Sequence, residues 1–155
     1  MEHMMNNALP LEAELCGDSR PQLTEGVTRG VVRMLWRMGF SPLAEFKLTS
    51  RRRIDVAGLD GQGRFLFVEV KSTPDDFRAD GKWHEYPAFC DWFYFAVPPG
   101  FPQHLLPDDV GLIVADAHDG VVLRPAAETP LNGNRRRTQT LAFARAAADR
   151  LARGG

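Results

Sequence analysis

Two acidic residues and a lysine lie on two stretches of the chain that both have the pattern of a β-strand. Glu69 and Lys71 are two residues apart at the end of the apolar stretch FLFVEVKST, so their side chains project from the same face, roughly 7 Å apart. Asp55 lies on the preceding predicted strand. A strand of this composition is usually buried, and a buried carboxylate or ammonium group is costly unless it meets a partner charge or a metal ion. The spacing therefore indicates a charged site at the end of a buried strand pair.

The loop between the two strands decides whether Asp55 can meet Glu69. Residues 60–63 have the turn sequence DGQG, so the strands are predicted to form a β-hairpin. Asp55 and Glu69 are equidistant from Gln62, so an odd loop centred on Gln62 places them opposite each other. An even loop would place Asp55 on the other face of the sheet. We therefore expect an odd loop, such as a three-residue turn with Gly63 in the left-handed region.

Two carboxylates on adjacent strands form an oxygen site suited to Mg²⁺, which prefers carboxylates, waters and phosphate oxygens. Such an ion polarises a phosphate and lowers the pKa of a bound water. Lys71 beside it would orient or deprotonate that water and stabilise charge on the phosphoryl oxygens. Asp55, Glu69 and Lys71 are therefore candidate catalytic residues of a metal-assisted phosphodiester hydrolase. The alternative is an ion cluster of these three residues at the edge of a sheet.

The rest of the pattern predicts a mixed α/β domain around the hairpin. An apolar face formed by Leu23, Val27, Val31, Leu35 and Met38 predicts a helix over residues 22–38. Strands are expected at residues 44–48, 53–59, 64–71 and 91–97, with two short strands at 112–115 and 121–123. Further helices are expected at residues 72–86 and 137–152, the last with Leu141, Ala144, Ala148 and Leu151 facing inward.

The basic residues are concentrated at the two ends of the chain, although the formal net charge is only −1. Residues 20–53 contain eight basic and two acidic residues, and residues 129–155 contain six and one. Residues 54–128 between them contain five basic and thirteen acidic residues. This distribution fits a phosphate-binding rim around a cation-binding centre, and it equally fits solvated helix faces that differ in sign.

Particular basic residues are candidates for contacts with a nucleic-acid backbone. These are Arg51, Arg52, Arg53, Lys82, Arg135, Arg136 and Arg137. For the two arginine blocks, a solvated loop is an equally good alternative. Trp83, next to Lys82, would either stack on a base or pack in the core, and the core is the more common place for such an aromatic residue.

The residues around the hairpin resemble a known nuclease superfamily. Ile54-Asp55-Val56 followed by VEVKS at residues 68–72 is similar to the core of the PD-(D/E)XK nucleases. More narrowly, the chain from about residue 26 to its end resembles the MmcB-like DNA-repair proteins of bacteria. The matching stretches are VEVKSTPDDFRADGKWHEY, CDWFYFAVPPGFP, LLPDDVGLIVADA and LAFARAAADRL. The sequence departs from the motif's name in having Ile54 where the proline would stand.

The resemblance implies a restriction-endonuclease-like core of helix, three-strand antiparallel meander, helix and strand, with a small β pair and a C-terminal helix. It also implies a role in DNA repair and a divalent cation, Mg²⁺ or Mn²⁺. Asp55 and Glu69 would be metal ligands together with the backbone carbonyl of Val70. Related nucleases often carry an accessory acid on the first helix or strand, for which Glu25 and Glu45 are the candidates. A surface pair with Arg29 is the alternative role of Glu25, and pairing with a nearby arginine is that of Glu45.

The function expected from these observations is a Mg²⁺-dependent deoxyribonuclease. We expect it to select its substrate by structure rather than by base sequence, because no base-reading motif is present. A nuclease-fold module that binds DNA or a repair partner without cutting is the main alternative. A phosphodiesterase acting on RNA or small molecules is disfavoured by two basic segments long enough to follow a polymer. The partner is expected to be branched or damaged DNA, and a homodimer would suit cleavage of both strands.

The bulk composition excludes several other classes of protein. A content of 44% hydrophobic and 25% charged residues is that of a globular protein, and two cysteines do not form a disulfide framework. Residues 1–18 lack the pattern of a signal peptide, and no apolar run is long enough for a membrane span. We expect a flexible leader over residues 1–18, a single nuclease-like domain over residues 19–155, and a cytoplasmic location.

Overall fold

A computed structural model describes residues 19–154 of the chain, so the predicted leader lies outside the described residues. The described part contains three α-helices and six β-strands. In chain order they are α1 (Arg20–Arg37), β1 (Ser41–Lys47), β2 (Arg53–Leu59), β3 (Phe65–Val70), α2 (Pro74–Ala79), β4 (Trp92–Val97), β5 (Gly111–Ala115), β6 (Gly120–Arg124) and α3 (Gly133–Ala152). Single 3₁₀ turns lie at Trp83–Glu85, Pro87–Phe89 and Gln103–Leu105.

The six strands form one sheet in the order in which they occur along the chain. Strands β1, β2 and β3 are an antiparallel meander, whereas β3, β4 and β5 run parallel, and β6 returns antiparallel to β5. The predicted order of helix, three-strand meander, helix and strand is therefore confirmed. The small β pair is not a separate unit, because β5 continues the main sheet beside β4.

Helix α1 covers one face of the sheet. It begins with a capping box in which the Ser19 hydroxyl and the Gln22 side chain each accept a hydrogen bond from the other residue's backbone N–H. Val27, Val31 and Leu35 are buried against the sheet as predicted, whereas Met38, also predicted to face inward, is 45% exposed. Met38 caps the end of the helix, where the chain turns towards β1, and its side chain does not reach the core.

Alternate residues of the central strands pack on opposite faces of the sheet, which gives the molecule two apolar cores. Val56, Val68 and Ile113 pack with α1 on one face. Phe67 and Phe95 pack on the other face, in the core that includes Phe143 of α3. The sheet is therefore sandwiched between α1 and α3, and its central strands are buried on both sides, as near-continuous apolar runs predict.

The predicted inward face of α3 is wrong. Leu141 and Leu151 are 63% and 80% exposed, and the buried residues are Gln139 and Phe143. Phe143 makes edge contacts with Phe46 and Phe65 at centroid distances of 5.5 and 5.8 Å, and Gln139 donates to a backbone carbonyl at 2.6 Å. The one large aromatic side chain sets the rotation of the helix, because alanines on every side give its pattern little contrast.

The predicted helix over residues 72–86 is also wrong in its length. Helix α2 begins as expected, with the Thr73 hydroxyl accepting from the Asp76 N–H and Pro74 in the first turn. It ends at Ala79, and Asp80 is extended. Two 3₁₀ turns then replace the second half of the predicted helix.

Within the part of the chain that the structure describes, no helix has both the length and the apolar content needed to cross a membrane.

Candidate metal and phosphodiester site

The β2–β3 hairpin has the register that the candidate site requires. Val56 pairs with Val68 and Ala57 with Phe67, so the next position along β2, Asp55, falls opposite Glu69. The Asp60 N–H donates to the Arg64 carbonyl, which leaves a three-residue loop. Gly63 in that loop has a left-handed φ of 79°. The predicted odd loop is confirmed, with its glycine in the conformation that this turn requires.

The Asp55 side chain ends the hydrogen-bonding ladder between β2 and β3. Its Oδ2 atom accepts a hydrogen bond of 2.7 Å from the backbone N–H of Val70. The carboxylate thus replaces a main-chain carbonyl at the last position of the pair. This bond fixes Asp55 beside Glu69 at the end of the strand pair.

Glu69 is a buried carboxyl group in an apolar part of the sheet. It is only 6% exposed, and it lies beside Phe95 in the register of β3 with β4. Its Oε1 atom is fully buried and has no hydrogen-bond partner among the residues that the structure describes. Burial, together with the hydrogen bond and negative charge of Asp55, holds the pKa of Glu69 far above its usual range, against the smaller opposing effect of Lys71.

Lys71 forms an ion pair that the sequence did not indicate. Its side chain is nearly buried, and its Nζ lies 2.6 Å from Oδ2 of Asp80. Burial raises the pKa of Asp80, but the hydrogen bonds from Lys71 and from the Lys82 backbone N–H outweigh it and leave that pKa below its ordinary value. The break in α2 places Asp80 here. The Asp80-Gly81 step inside an otherwise helical pattern was the one signal of such a break.

The residues present fit a magnesium ion of the kind that keeps several waters. In residues 19–154 no group of three or more His, Cys, Asp or Glu side chains is placed to hold a metal, so Asp55 and Glu69 would be the only carboxylate ligands. Mg²⁺ is commonly held by one or two carboxylates and completed by water and substrate phosphates. The buried Oε1 of Glu69, which accepts no hydrogen bond from the described residues, is an oxygen that a metal ion could bind. In an extended strand the N–H and C=O of one residue point to the same side, so the Val70 carbonyl is directed towards Asp55.

A groove of about 620 Å³ between α1 and the β1–β2 hairpin leads to Asp55. Both candidate accessory acids, Glu25 and Glu45, line it. Each also makes the long surface contact expected of the alternative role, Glu25 with Arg29 at 3.8 Å and Glu45 with Arg53 at 3.9 Å. Glu45 has a left-handed φ of 52°, an uncommon conformation for a residue with a side chain.

Comparison with known proteins places the chain in a family. Residues 13–154 match the model of a family described as DNA repair protein MmcB-like. The chain belongs to the MmcB-like family. A similar solved structure is the SPO1766 protein of unknown function from Silicibacter pomeroyi, with a TM-score of 0.81 and 41% sequence identity. The similarity covers 84% of this chain and 89% of that one. No curated protein matches.

The candidate DNA-contacting residues of this MmcB-like chain fall into two groups. Arg136 belongs to the fold, since it forms an ion pair with the buried Asp91 at 2.6 Å and donates to the Gly63 carbonyl. Arg135 donates to the Ala88 carbonyl and lies over the Phe89 ring.

The second group remains at the surface. Arg51, Arg53, Lys82 and Arg137 are exposed, and Arg52 is half-buried in a pair with Glu85. Trp83, next to Lys82, stacks on Phe93 at 6.0 Å and meets Phe95 edge-on, so it packs against the core while remaining partly exposed.

Proposed function

We propose that this MmcB-like protein is a metal-dependent, structure-selective DNA nuclease that acts in DNA repair. The observation that carries the proposal is the pairing of Asp55 with Glu69. A buried carboxyl group with an unpartnered oxygen is costly to the fold. A site that binds a cation between these two side chains accounts for that cost.

Asp55, Glu69 and the Val70 carbonyl would hold the ion. When bound, it would polarise the scissile phosphate and make a bound water acidic enough to attack at neutral pH. As an ammonium group paired with Asp80, Lys71 would orient that water and stabilise charge on the phosphoryl oxygens. Asp80 would keep the Lys71 ammonium in place at the end of β3.

The family supports the assignment of DNA as the polymer that is bound. The MmcB-like description names a DNA repair protein, and exposed arginines at positions 51, 53 and 137 can contact phosphates without reading bases. We propose branched or damaged DNA as the substrate, since no base-reading element is present among the described residues.

A second candidate is a nuclease-fold module that binds DNA or a repair partner without cutting. The Lys71–Asp80 pair favours it, because a lysine held at 2.6 Å by a carboxylate is less free to act on water. The burial of Glu69 also favours it, since a protonated carboxyl group is a poor metal ligand.

The deciding experiment is cleavage of labelled single-stranded, duplex, flap and branched DNA with Mg²⁺ or Mn²⁺. Asp55→Asn, Glu69→Gln and Lys71→Met test the site. Asp75→Asn, on an acid whose side chain is 93% exposed, is the matched control. We expect metal-dependent cleavage that the control retains and the three site variants lose by at least about a hundredfold. Binding by the wild type without cleavage of any substrate would leave the second candidate.

A further inference from the structure

An exposed tryptophan lies in a second groove on the outer side of α1. Trp36 is 70% exposed, which is unusual for the largest apolar side chain. The groove has a volume of about 600 Å³ and is walled by Val32, Arg33 and Pro42 besides Trp36. No acidic residue among residues 19–154 lines it.

This Trp36 groove continues into the groove that leads to Asp55. Thr28, Arg29 and Ala44 line both grooves, so they form the junction. Among the described lining residues, the acids line only the Asp55 groove and the aromatic residue lines only the Trp36 groove, whereas arginines (Arg20, Arg29 and Arg33) occur along both. A cation-binding end followed by a basic and aromatic path matches what a nucleic-acid strand presents, which is phosphates on one side and flat bases on the other.

The arginines along this path are available to phosphates. Within the described part of the chain, Arg29 makes one ionic contact, with Glu25 at 3.8 Å, and its side chain is 61% exposed. Within the same residues, Arg33 makes one hydrogen bond, of 3.4 Å, to a backbone carbonyl. Guanidinium groups held this weakly can exchange their present contacts for phosphate oxygens.

We propose that this continuous groove binds a single-stranded segment of DNA, with an unpaired base stacked on Trp36 and phosphates on Arg29 and Arg33. The proposal rests on the proposed function and deepens it, because it names the strand form that enters the site. A duplex hides its base faces within its own stack, so only an unpaired base can cover the Trp36 ring. A flap or a branch point supplies such a base beside a duplex.

The dimensions suit a short strand. Trp36 follows Thr24, at the Asp55 end of the groove, by twelve residues of α1, which corresponds to about 18 Å. At about 3.4 Å per stacked nucleotide, this spans about five nucleotides. A strand stacked at this spacing therefore needs about five nucleotides to run from Thr24 to Trp36.

Binding of labelled oligothymidine of about twelve nucleotides to the whole chain in EDTA tests the proposal, with a duplex of equal length alongside. We expect Trp36→Ala to weaken binding of the single strand about tenfold or more, with less than about a twofold change for the duplex. Trp36→Phe should retain most of the affinity but lose the quenching of tryptophan fluorescence that the strand causes. Leu151→Ala removes another exposed apolar side chain, 80% exposed on α3, and should bind as the wild type does.

Unchanged affinity of Trp36→Ala for the single strand would overturn the proposal and leave the apolar groove to a protein partner. An equal loss for single strand and duplex would also overturn it, because stacking on an unpaired base would not be the cause. Cleavage in Mg²⁺ is measured separately on the same variants. Binding that depends on Trp36 without any cleavage would refute the nuclease proposal and support the groove as a single-strand binding site. Cleavage with binding that does not depend on Trp36 would support the nuclease proposal and refute the groove as that site.

Discussion

Glu69 is a residue whose position is unfavourable for the isolated fold. Its carboxyl group is almost fully buried, one oxygen has no partner, and the neighbouring Asp55 adds a second negative charge. The group is therefore protonated in the folded protein at pH values where it is ionised in the unfolded chain. The folded protein therefore binds one more proton than the unfolded chain. Because of this, the unfolding free energy falls as the pH rises from the unfolded pKa of about 4.3 towards the higher folded pKa.

Glu69→Gln should accordingly stabilise the metal-free protein. The amide resembles the protonated acid, so the variant avoids the cost of proton uptake. We expect a gain of about 1–3 kcal/mol in unfolding free energy at pH 8, shrinking to nothing near pH 4.5. Urea unfolding in EDTA across this pH range measures it, with Glu25→Gln on an exposed acid as the control. A gain that is constant with pH would show that ionisation of Glu69 is not its cause.

Removing the charge of Asp80 should destabilise the protein, in contrast to Glu69→Gln, because Asp80 and its partner Lys71 form a nearly buried ion pair. Asp80→Ala leaves an ammonium group without its partner, and it should lower the unfolding free energy by about 3 kcal/mol. Replacing both residues, with Lys71→Met and Asp80→Leu, should recover most of that loss. Asp75→Ala in the same segment should cost less than about 1 kcal/mol. Equal losses for Asp80→Ala and Asp75→Ala in urea unfolding would mean that the pair contributes nothing.

At the scale of elements, the β2–β3 hairpin could be predicted from the sequence in detail. The positions of Asp55 and Glu69 about Gln62, and the requirement that both share a face, were enough to predict the odd loop. This succeeded because the register of a hairpin is local and the side chains of a strand alternate strictly. The Lys71–Asp80 contact and the rotation of α3 depend on packing between distant segments, which no local period encodes.

Two glycines in the hairpin loop form a matched pair for testing its geometry. Gly63 has a left-handed φ of 79°, whereas Gly61 has an ordinary φ and open space around its Cα. We expect Gly63→Ala to lower the unfolding free energy by about 1–2 kcal/mol and Gly61→Ala to change it by less than about 0.5 kcal/mol. Thermal unfolding compares the two variants. Equal effects would exclude backbone conformation as the reason for glycine at position 63.

Helix α1 approaches the β5–β6 turn closely at Gly30. A Cβ there would lie 2.0 Å from the Asp116 carbonyl oxygen, whereas a Cβ at Gly26 would meet only the Ala117 Cβ at 3.5 Å. Gly30→Ala should therefore destabilise the protein by about 3 kcal/mol, because backbone must move. Gly26→Ala should stabilise it by about 0.5–1 kcal/mol through helix propensity. Chemical denaturation of both variants measures the difference, and a Gly30→Ala variant as stable as the wild type would contradict this packing.

At the scale of the whole molecule, the C-terminal basic segment contains arginines in two different environments, which charge counting does not separate. Arg136 neutralises Asp91, whose carboxylate also accepts hydrogen bonds from the Phe65 and Leu131 N–H groups. This pair joins the start of α3 to the sheet. Arg137, the next residue, is exposed and available to phosphate.

Substitutions of these two neighbouring arginines should therefore affect different properties, namely stability for Arg136 and DNA binding for Arg137. Arg136→Met leaves a buried carboxylate unpaired and should cost about 3 kcal/mol of unfolding free energy. Arg137→Ala should leave stability within about 0.5 kcal/mol of the wild type and lower the slope of log affinity for DNA against log salt by about 1. Urea unfolding and DNA titrations at several salt concentrations test both. A salt slope unaffected by Arg137→Ala would remove that residue from the DNA-binding surface.

The change from antiparallel to parallel pairing at β3 affects the order in which the surroundings of Asp55 and Glu69 form during folding. Strands β1, β2 and β3 are joined by short turns, so their contacts close small loops and form early, bringing Asp55 and Glu69 together while water still surrounds them. Strand β4 reaches β3 only after twenty-one intervening residues, from Lys71 to Asp91, have been ordered. We therefore expect the carboxylates to be brought together before they are dehydrated. A newly made chain should then have an interval in which this pair is open to ions from solution, before the sheet closes over it.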